Sequence, residues 1–239
     1  MLQIPVTIDA MQRGALCFNR DAVRKLSSVQ PTIINITAAA GADRRAVEHF
    51  IEQVYTKAYG AQITQHYPTL VSVRDAKGNI LAALGFRSAA EHSLFLEHYL
   101  SVPIEQAISS AFAKPIPRAE VVEVGNLASA GHGAAVFLFA ALMAYLDCMG
   151  YRHLALTGTR VLRGYFAKLG LDPRDMGAAD PTCLPDAGKS WGSYYDTQPR
   201  LIGGDVHASF LQLQRVMLVE QAQQAGAYAT TLHPRTPLC

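Results

Sequence analysis

The run AEVVEVGNLASAGHGAAVFLFAALMAYL, residues 119–146, decides how the rest of the chain is read. Its first ten residues, 119–128, are valine-rich and read as a strand, where β-branched side chains pack well. A turn follows, with Gly131 and Gly133 on either side of His132. From 134 to 146 the chain is apolar and reads as a helix. Gly125 inside the strand marks a bulge or a point where another backbone comes close. Gly131 and Gly133 let backbone N–H groups point outward at a helix start, where the dipole favours an anion. A bulged strand beside such a turn can accept a thioester arm as if it were a strand, with its phosphate at the helix start. The same residues also fit a plain strand–turn–helix in which the glycines only relieve crowding.

The stretch 127–146 carries no formal charge and is about as long as a bilayer span. Because its start reads as a turn, the apolar helix shortens to 134–146, the length of a core helix. No stable membrane span is expected. Outward from this centre, residues 1–31 are mixed, with Pro5, Gly14 and Pro31, and read as an N-terminal extension packed on the body. TIINITA (32–38) reads as a strand. Asp43 caps a helix over 44–59, where Val47, Phe50, Ile51, Val54 and Ala58 recur at helical spacing. Strands at 69–74 and 80–87 flank DAKGN, good hairpin chemistry. Helices are expected at 94–100 and 103–113, the second with Pro103 in its first turn. Downstream come a strand at 152–157 and a helix at 161–169, stopped by Gly170 and Pro173. A β-pair at 190–195 and 201–207 and a helix at 210–224 complete the series. This order gives a three-layer α/β fold with a mixed central sheet, one body over 32–225 and a tail at 226–239.

The chain has 239 residues, half of them hydrophobic, with 17% charged and a net charge of +2. Soluble chains average about 25% charged residues, so more apolar surface than usual must be hidden. Disorder is excluded by that hydrophobicity, and the charge balance argues against a nucleic-acid partner. Cys17, Cys148, Cys183 and Cys239 form no CxxC or Cys/His cluster, so neither a disulfide framework nor a zinc site is expected. Eight histidines without HxH or HxxxH spacing argue against any metal. With no signal peptide visible at the N-terminus, a reducing, cytoplasmic location is expected.

Four blocks, LFLEHYL (94–100), EVGNLAS (123–129), TGTRVLRGYFAKLGL (157–171) and WGSYYD (191–196), together resemble the thermostable hemolysin family. That family is a branch of the GNAT-like acyltransferases, akin to acyl-homoserine-lactone synthases and N-acyl amino acid synthases. The resemblance covers about residues 32–207. It implies a GNAT-like fold and transfer of an acyl group from a thioester to a small-molecule amine or hydroxyl by direct attack. Carried over, Val124, Gly125, Asn126, Leu127 and Ala128 form the splayed strand, and Gly131, His132, Gly133 and Ala134 the phosphate turn. No tightly bound cofactor is implied; acyl-CoA or the phosphopantetheine of an acyl-carrier protein is the co-substrate. Ala128 stands where the usual pyrophosphate loop carries Gln or Arg, which favours a carrier protein as donor and partner. Phe166 replaces the tyrosine that often protonates the leaving thiolate. Asn126 stands where the lactone synthases carry arginine.

A base must take a proton from the acceptor. Glu123 and Glu97 are the candidates, each with the alternative of a buried ion pair to Arg87 or Arg118. In the related lactone synthases a strand glutamate is tied to an arginine, which supports that alternative. Trp191, Ser193 and Tyr195, with Arg87, are candidates for substrate binding, and Tyr194 offers a catalytic hydroxyl. The aromatic residues alternatively close the core. Two other readings stand beside the enzyme: a membrane-active hemolysin, and a degenerate acyltransferase that binds an acyl-carrier protein.

Overall fold

The structure, a computed structural model, describes residues 1–218. One nine-stranded mixed sheet organises them, in the order β2-β1-β3-β4-β5-β6-β7-β9-β8. β1 (Leu2–Ile8) and β2 (Met11–Phe18) form a hairpin, and β1 also pairs in parallel with β3 (Ile33–Thr37). The stretch that read as a packed extension thus contributes two strands to the sheet itself. Asp9 and Ala10, both at positive φ, make the two-residue turn. β4 (Thr69–Arg74), β5 (Ile80–Ser88) and β6 (Val121–Ser129) continue the sheet antiparallel. β7 (His153–Gly158) pairs in parallel with β6, then β9 (Arg200–Asp205) and β8 (Arg174–Ala178) close the far edge.

Helices cover both faces. α1 (Arg20–Arg24) follows the hairpin, and α2 (Arg44–Tyr59) and α3 (Ile104–Phe112) lie on one side of the sheet. α4 (Ala135–Cys148) and α6 (Val206–Met217) pack on the other, and α5 (Arg160–Lys168) joins β7 to β8. α4 is apolar on every side because it is buried on every side, with Val136–Ala144 and Leu146 all in the core. That burial accounts for the uncharged run without a membrane. No helix among the described residues is long and apolar enough to cross one.

Two expectations are corrected. Residues 190–195 form no strand; they lie in 3₁₀ turns at Lys189–Trp191 and Tyr194–Thr197, and β9 pairs instead with β7 and β8. The expected helix at 94–100 is a 3₁₀ turn, Phe95–Tyr99. The last expected helix is seen as α6 to Met217, and its remainder and the 226–239 tail lie outside the described residues.

Candidate active site

Over Val121–Val124, β6 is hydrogen-bonded to β7 on one side and to β5 on the other. Beyond the Val124–Leu156 pair the ladder to β7 ends, while pairing to β5 runs on to Ser129. The two parallel strands part there. Opposite β5 the register slips, with Gly85 facing Gly125 but Ala83 facing Ala128, so β6 holds one residue more than its partner. Asn126 takes up that residue with φ 53°, which places the bulge just after the glycine that signalled it. The extra residue reverses the pleat. Ala128 consequently packs with the α2 residues Val47 and Ile51 and not with α4.

Gly85 and Gly125 are glycines for a local reason. A Cβ on Gly125 would lie 2.2 Å from the Tyr67 hydroxyl oxygen, and one on Gly85 would lie 2.5 Å from the Tyr67 Cβ. Tyr67 lies across both, so the close approach at Gly125 comes from a side chain and not from another backbone. The Arg87 guanidinium sits 4.3 Å above the same ring. Beneath them Glu123 is fully buried. It accepts hydrogen bonds from the Phe95 and Leu96 amides at 3.0 and 2.9 Å, stands 3.2 Å from Arg87 Nε, and bonds the Tyr67 hydroxyl. Burial raises its carboxyl pKa, while Arg87, the two amides and Tyr67 pull it back only in part.

Of the alternatives weighed for the two glutamates, the geometry supports the ion pairs. Glu123 spends its oxygens anchoring the 95–99 turn onto β6. Glu97 accepts from Arg118 at 2.5 and 3.0 Å, and from the Leu94 and Ile104 amides. Arg118 first, and then those amides, hold its carboxyl down at about 2, so it has little affinity for a proton at neutral pH. Neither fits a general base.

Three spaces meet where β6 and β7 part. The first is a cleft, open in part to solvent, lined by Val124, Gly125, Asn126 and Leu127 together with Trp191, Tyr194 and Tyr195. The second is an apolar chamber on the α4 side, lined by Leu142, Met143, Phe166 and Ile202, which shares Val124, Leu156 and Phe139 with the cleft. The third is a polar cleft lined by Arg87, His98, Gln65 and Asp186, which shares Tyr67, Phe95, Asn126 and Trp191 with the first. The structure therefore brings together the strand residues 124–127, Arg87 and the aromatic residues.

Ser193 and Ala128 it leaves outside, and other candidates it commits to packing. The Ser193 hydroxyl donates to the Tyr59 carbonyl at 3.3 Å and lies apart from the cleft, so a substrate-binding role is not supported. Tyr194 is buried among Tyr55, Tyr59, Trp191 and Tyr195, and burial raises its pKa. Ala128 is covered by α2, and Phe166 packs edge-on against Phe139 at 5.0 Å. Gly131, His132 and Gly133 all hold positive φ on the way into α4. Gly131 has open space before it, whereas a Cβ on Gly133 would meet the Leu26 carbonyl at 2.2 Å. Of the two glycines, only Gly131 can be substituted without striking a neighbour. His132 offers its carbonyl to the Ser28 amide and the Ser27 hydroxyl.

Sequence reasoning missed Tyr67, Tyr99 and Thr157 as lining residues and gave His98 no role. Tyr67 sits in an irregular segment without periodicity. The one signal for it was a glycine in each of two neighbouring strands. Tyr99 and Tyr195 share a hydroxyl–hydroxyl bond of 2.5 Å across the cleft.

The sequence profile of thermostable hemolysin matches residues 37–210. No curated protein matches the chain. Solved structures with a similar fold include the acyl-homoserine-lactone synthase LasI, 13% identical over 80% of this chain and 98% of that one, with a TM-score of 0.53. The CoA-dependent lactone synthase BjaI, solved with SAM and isopentyl-CoA, is 10% identical over 76% of this chain and 87% of its own, with a TM-score of 0.52. FeeM, an N-acyl amino acid synthase from uncultured soil microbes, is 14% identical over 75% and 98%, with a TM-score of 0.50.

Proposed function

The chain belongs to the thermostable hemolysin family and has the GNAT-like fold, and from that premise we propose that it is an acyltransferase. It moves an acyl group from a thioester, carried by an acyl-carrier protein or CoA, to a small-molecule amine or hydroxyl. One observation carries the reading: the ladder between β6 and β7 ends at Val124 and Leu156, where the three spaces meet. A pantetheine arm fits along the unpaired edge of Gly125–Leu127, with its phosphate near Gly131. Backbone N–H groups of the bulge then face the thioester carbonyl and stabilise the oxyanion that develops on attack. The acyl chain enters the apolar chamber, and the acceptor occupies the polar cleft. Catalysis rests on holding the two reactants in line.

A thiolate leaves without strong acid assistance, and the cleft still offers it a proton. Burial pushes the Tyr195 hydroxyl up to about 12, so it stays protonated at neutral pH. Carrier protein is the proposed donor, since Ala128 has no group for a second phosphate. α4 is committed to the core, so the lytic reading gains no support from it.

The test uses purified protein with butanoyl- to tetradecanoyl-CoA and the same acyl groups on a carrier protein, with a mixture of L-amino acids as acceptor. Acylated product, read by mass spectrometry and matched by released thiol, is the expected result. Leu142→Trp should shift the preference toward shorter chains by filling the chamber. Absence of product with every donor, or dye release from liposomes by the protein alone, overturns the reading.

A further inference from the structure

With both glutamates committed to ion pairs, the acceptor needs another base, and the polar cleft contains one. We propose that His98 takes the proton from the attacking group of the acceptor; this rests on the acyl-transfer reading above. Among the described residues it is the only imidazole lining either of the two joined clefts. Its Nδ1 lies 2.9 Å from the Phe95 carbonyl oxygen. A carbonyl can only accept, so Nδ1 carries the hydrogen and the Nε2 lone pair is left for a substrate proton. Its neighbours in the cleft are poorer bases. Arg87 is a permanent cation, and Asp186 is held below the usual carboxylate range by bonds from Ser190 and the Gly188 amide.

The position of His98 is built, not incidental. The 3₁₀ turn that carries it is pinned at its start by Glu123, through the Phe95 and Leu96 amides. Glu97 pins the flanks through the Leu94 and Ile104 amides. The ring rests on Phe95 at 5.5 Å, and Phe95 in turn on Trp191 at 5.5 Å. The two glutamates that sequence singled out are therefore positioning residues for this imidazole.

The acceptor nitrogen attacks the thioester carbonyl carbon, a C–N bond forms, and the C–S bond breaks with its electron pair leaving on sulfur. Before the attack His98 Nε2 takes the proton that holds the amine as an ammonium ion and returns it to solvent. The second proton, shed by the nitrogen as the amide forms, goes to the thiolate, which departs as the free thiol.

Two acceptors separate this proposal from the reading beneath it: the L-amino-acid mixture, whose amines must lose a proton, and hydroxylamine, which is unprotonated at neutral pH. With decanoyl-CoA and decanoyl-carrier protein as donors, His98→Gln should lower transfer to amino acids about 100-fold or more, the scale of general-base catalysis. Transfer to hydroxylamine should fall far less. His98→Ala should regain part of its amino-acid activity when imidazole is added to the buffer. Because the side chain is exposed, both variants should keep the wild-type circular dichroism and melting temperature. Undiminished transfer to amino acids, or equal losses with both acceptors, overturns the role of His98 and leaves acyl transfer standing. A wild-type protein that acylates neither acceptor overturns both.

Discussion

The two halves of β6 differ in how they are paired, and the cleft opens beside the less paired half. Val121–Val124 has a hydrogen-bonded neighbour on each side, and its residues alternate between the two cores. Gly125–Ser129 keeps only β5, carries the bulge at Asn126, and borders the cleft. A strand with two neighbours builds the sheet, while a strand that has lost one offers its edge to something else. The lesson is that the closed half must be over-determined for the open half to survive. Glu123, paired with Ala155 one residue before the β7 ladder ends, uses its bonds to Arg87, Tyr67 and the 95–96 amides to tie the 95–99 turn to the closed half.

The largest effect should come from removing that boundary. Glu123→Ala leaves the Arg87 guanidinium and two amides without their partner inside the protein. Breaking a buried pair from one side costs about 3–5 kcal/mol, readable as a shifted urea midpoint. A loss below about 1 kcal/mol would mean that the open half stands without its anchor, since that is the scale of an exposed pair. Next comes Gly125→Ala, whose Cβ would lie 2.2 Å from the Tyr67 hydroxyl. Overpacking of that kind costs about 1–3 kcal/mol. In a Tyr67→Leu background most of that cost should disappear, because the crowding partner is gone. Equal costs in both backgrounds would refute the account of why this strand carries a glycine.

The closed parts of the fold were legible because their residues obey one period. The helix over 44–59 and the strand over 69–74 appear with those bounds, each set by regular apolar spacing or β-branched content. The edges were not legible. β1 holds Pro5, just before the first residue paired with β3, and β8 is the short RDMGA of an outer strand, with Met176 as its one large apolar side chain. Residues 190–195 imitate a strand because Trp191, Ser193 and Tyr195 alternate with smaller or inward-facing neighbours. Gly192, at φ 54° against the Tyr59 carbonyl, breaks the extended path. At the site the bulge could be read from Gly125, since a glycine amid valines needs a reason. The base could not. Whether a glutamate meets a substrate or an arginine depends on which segment folds over it, and no local pattern records that the Phe95 and Leu96 amides reach Glu123 or that Arg118 reaches Glu97.

The smallest effect separates the two glutamates by sign. Burial raises Glu123, so folding favours its protonated form; the stability linked to it is complete at low pH and is lost as pH rises through its folded value. Glu97 runs the other way. Arg118 holds it at about 2 against an ordinary 4.5, so folding favours the carboxylate. Its contribution is complete above about 4.5 and is lost as the pH falls toward 2. In Glu97→Gln this acid-side loss should flatten, while the opposite slope from Glu123 remains. The change should be about 1 kcal/mol, because the carboxylate is 24% exposed and salt screens the pair. Urea midpoints at a series of acid pH values measure it directly. An acid limb as steep in Glu97→Gln as in the wild type would place the titrating pair elsewhere and remove Arg118–Glu97 as the clamp on the turn that carries His98.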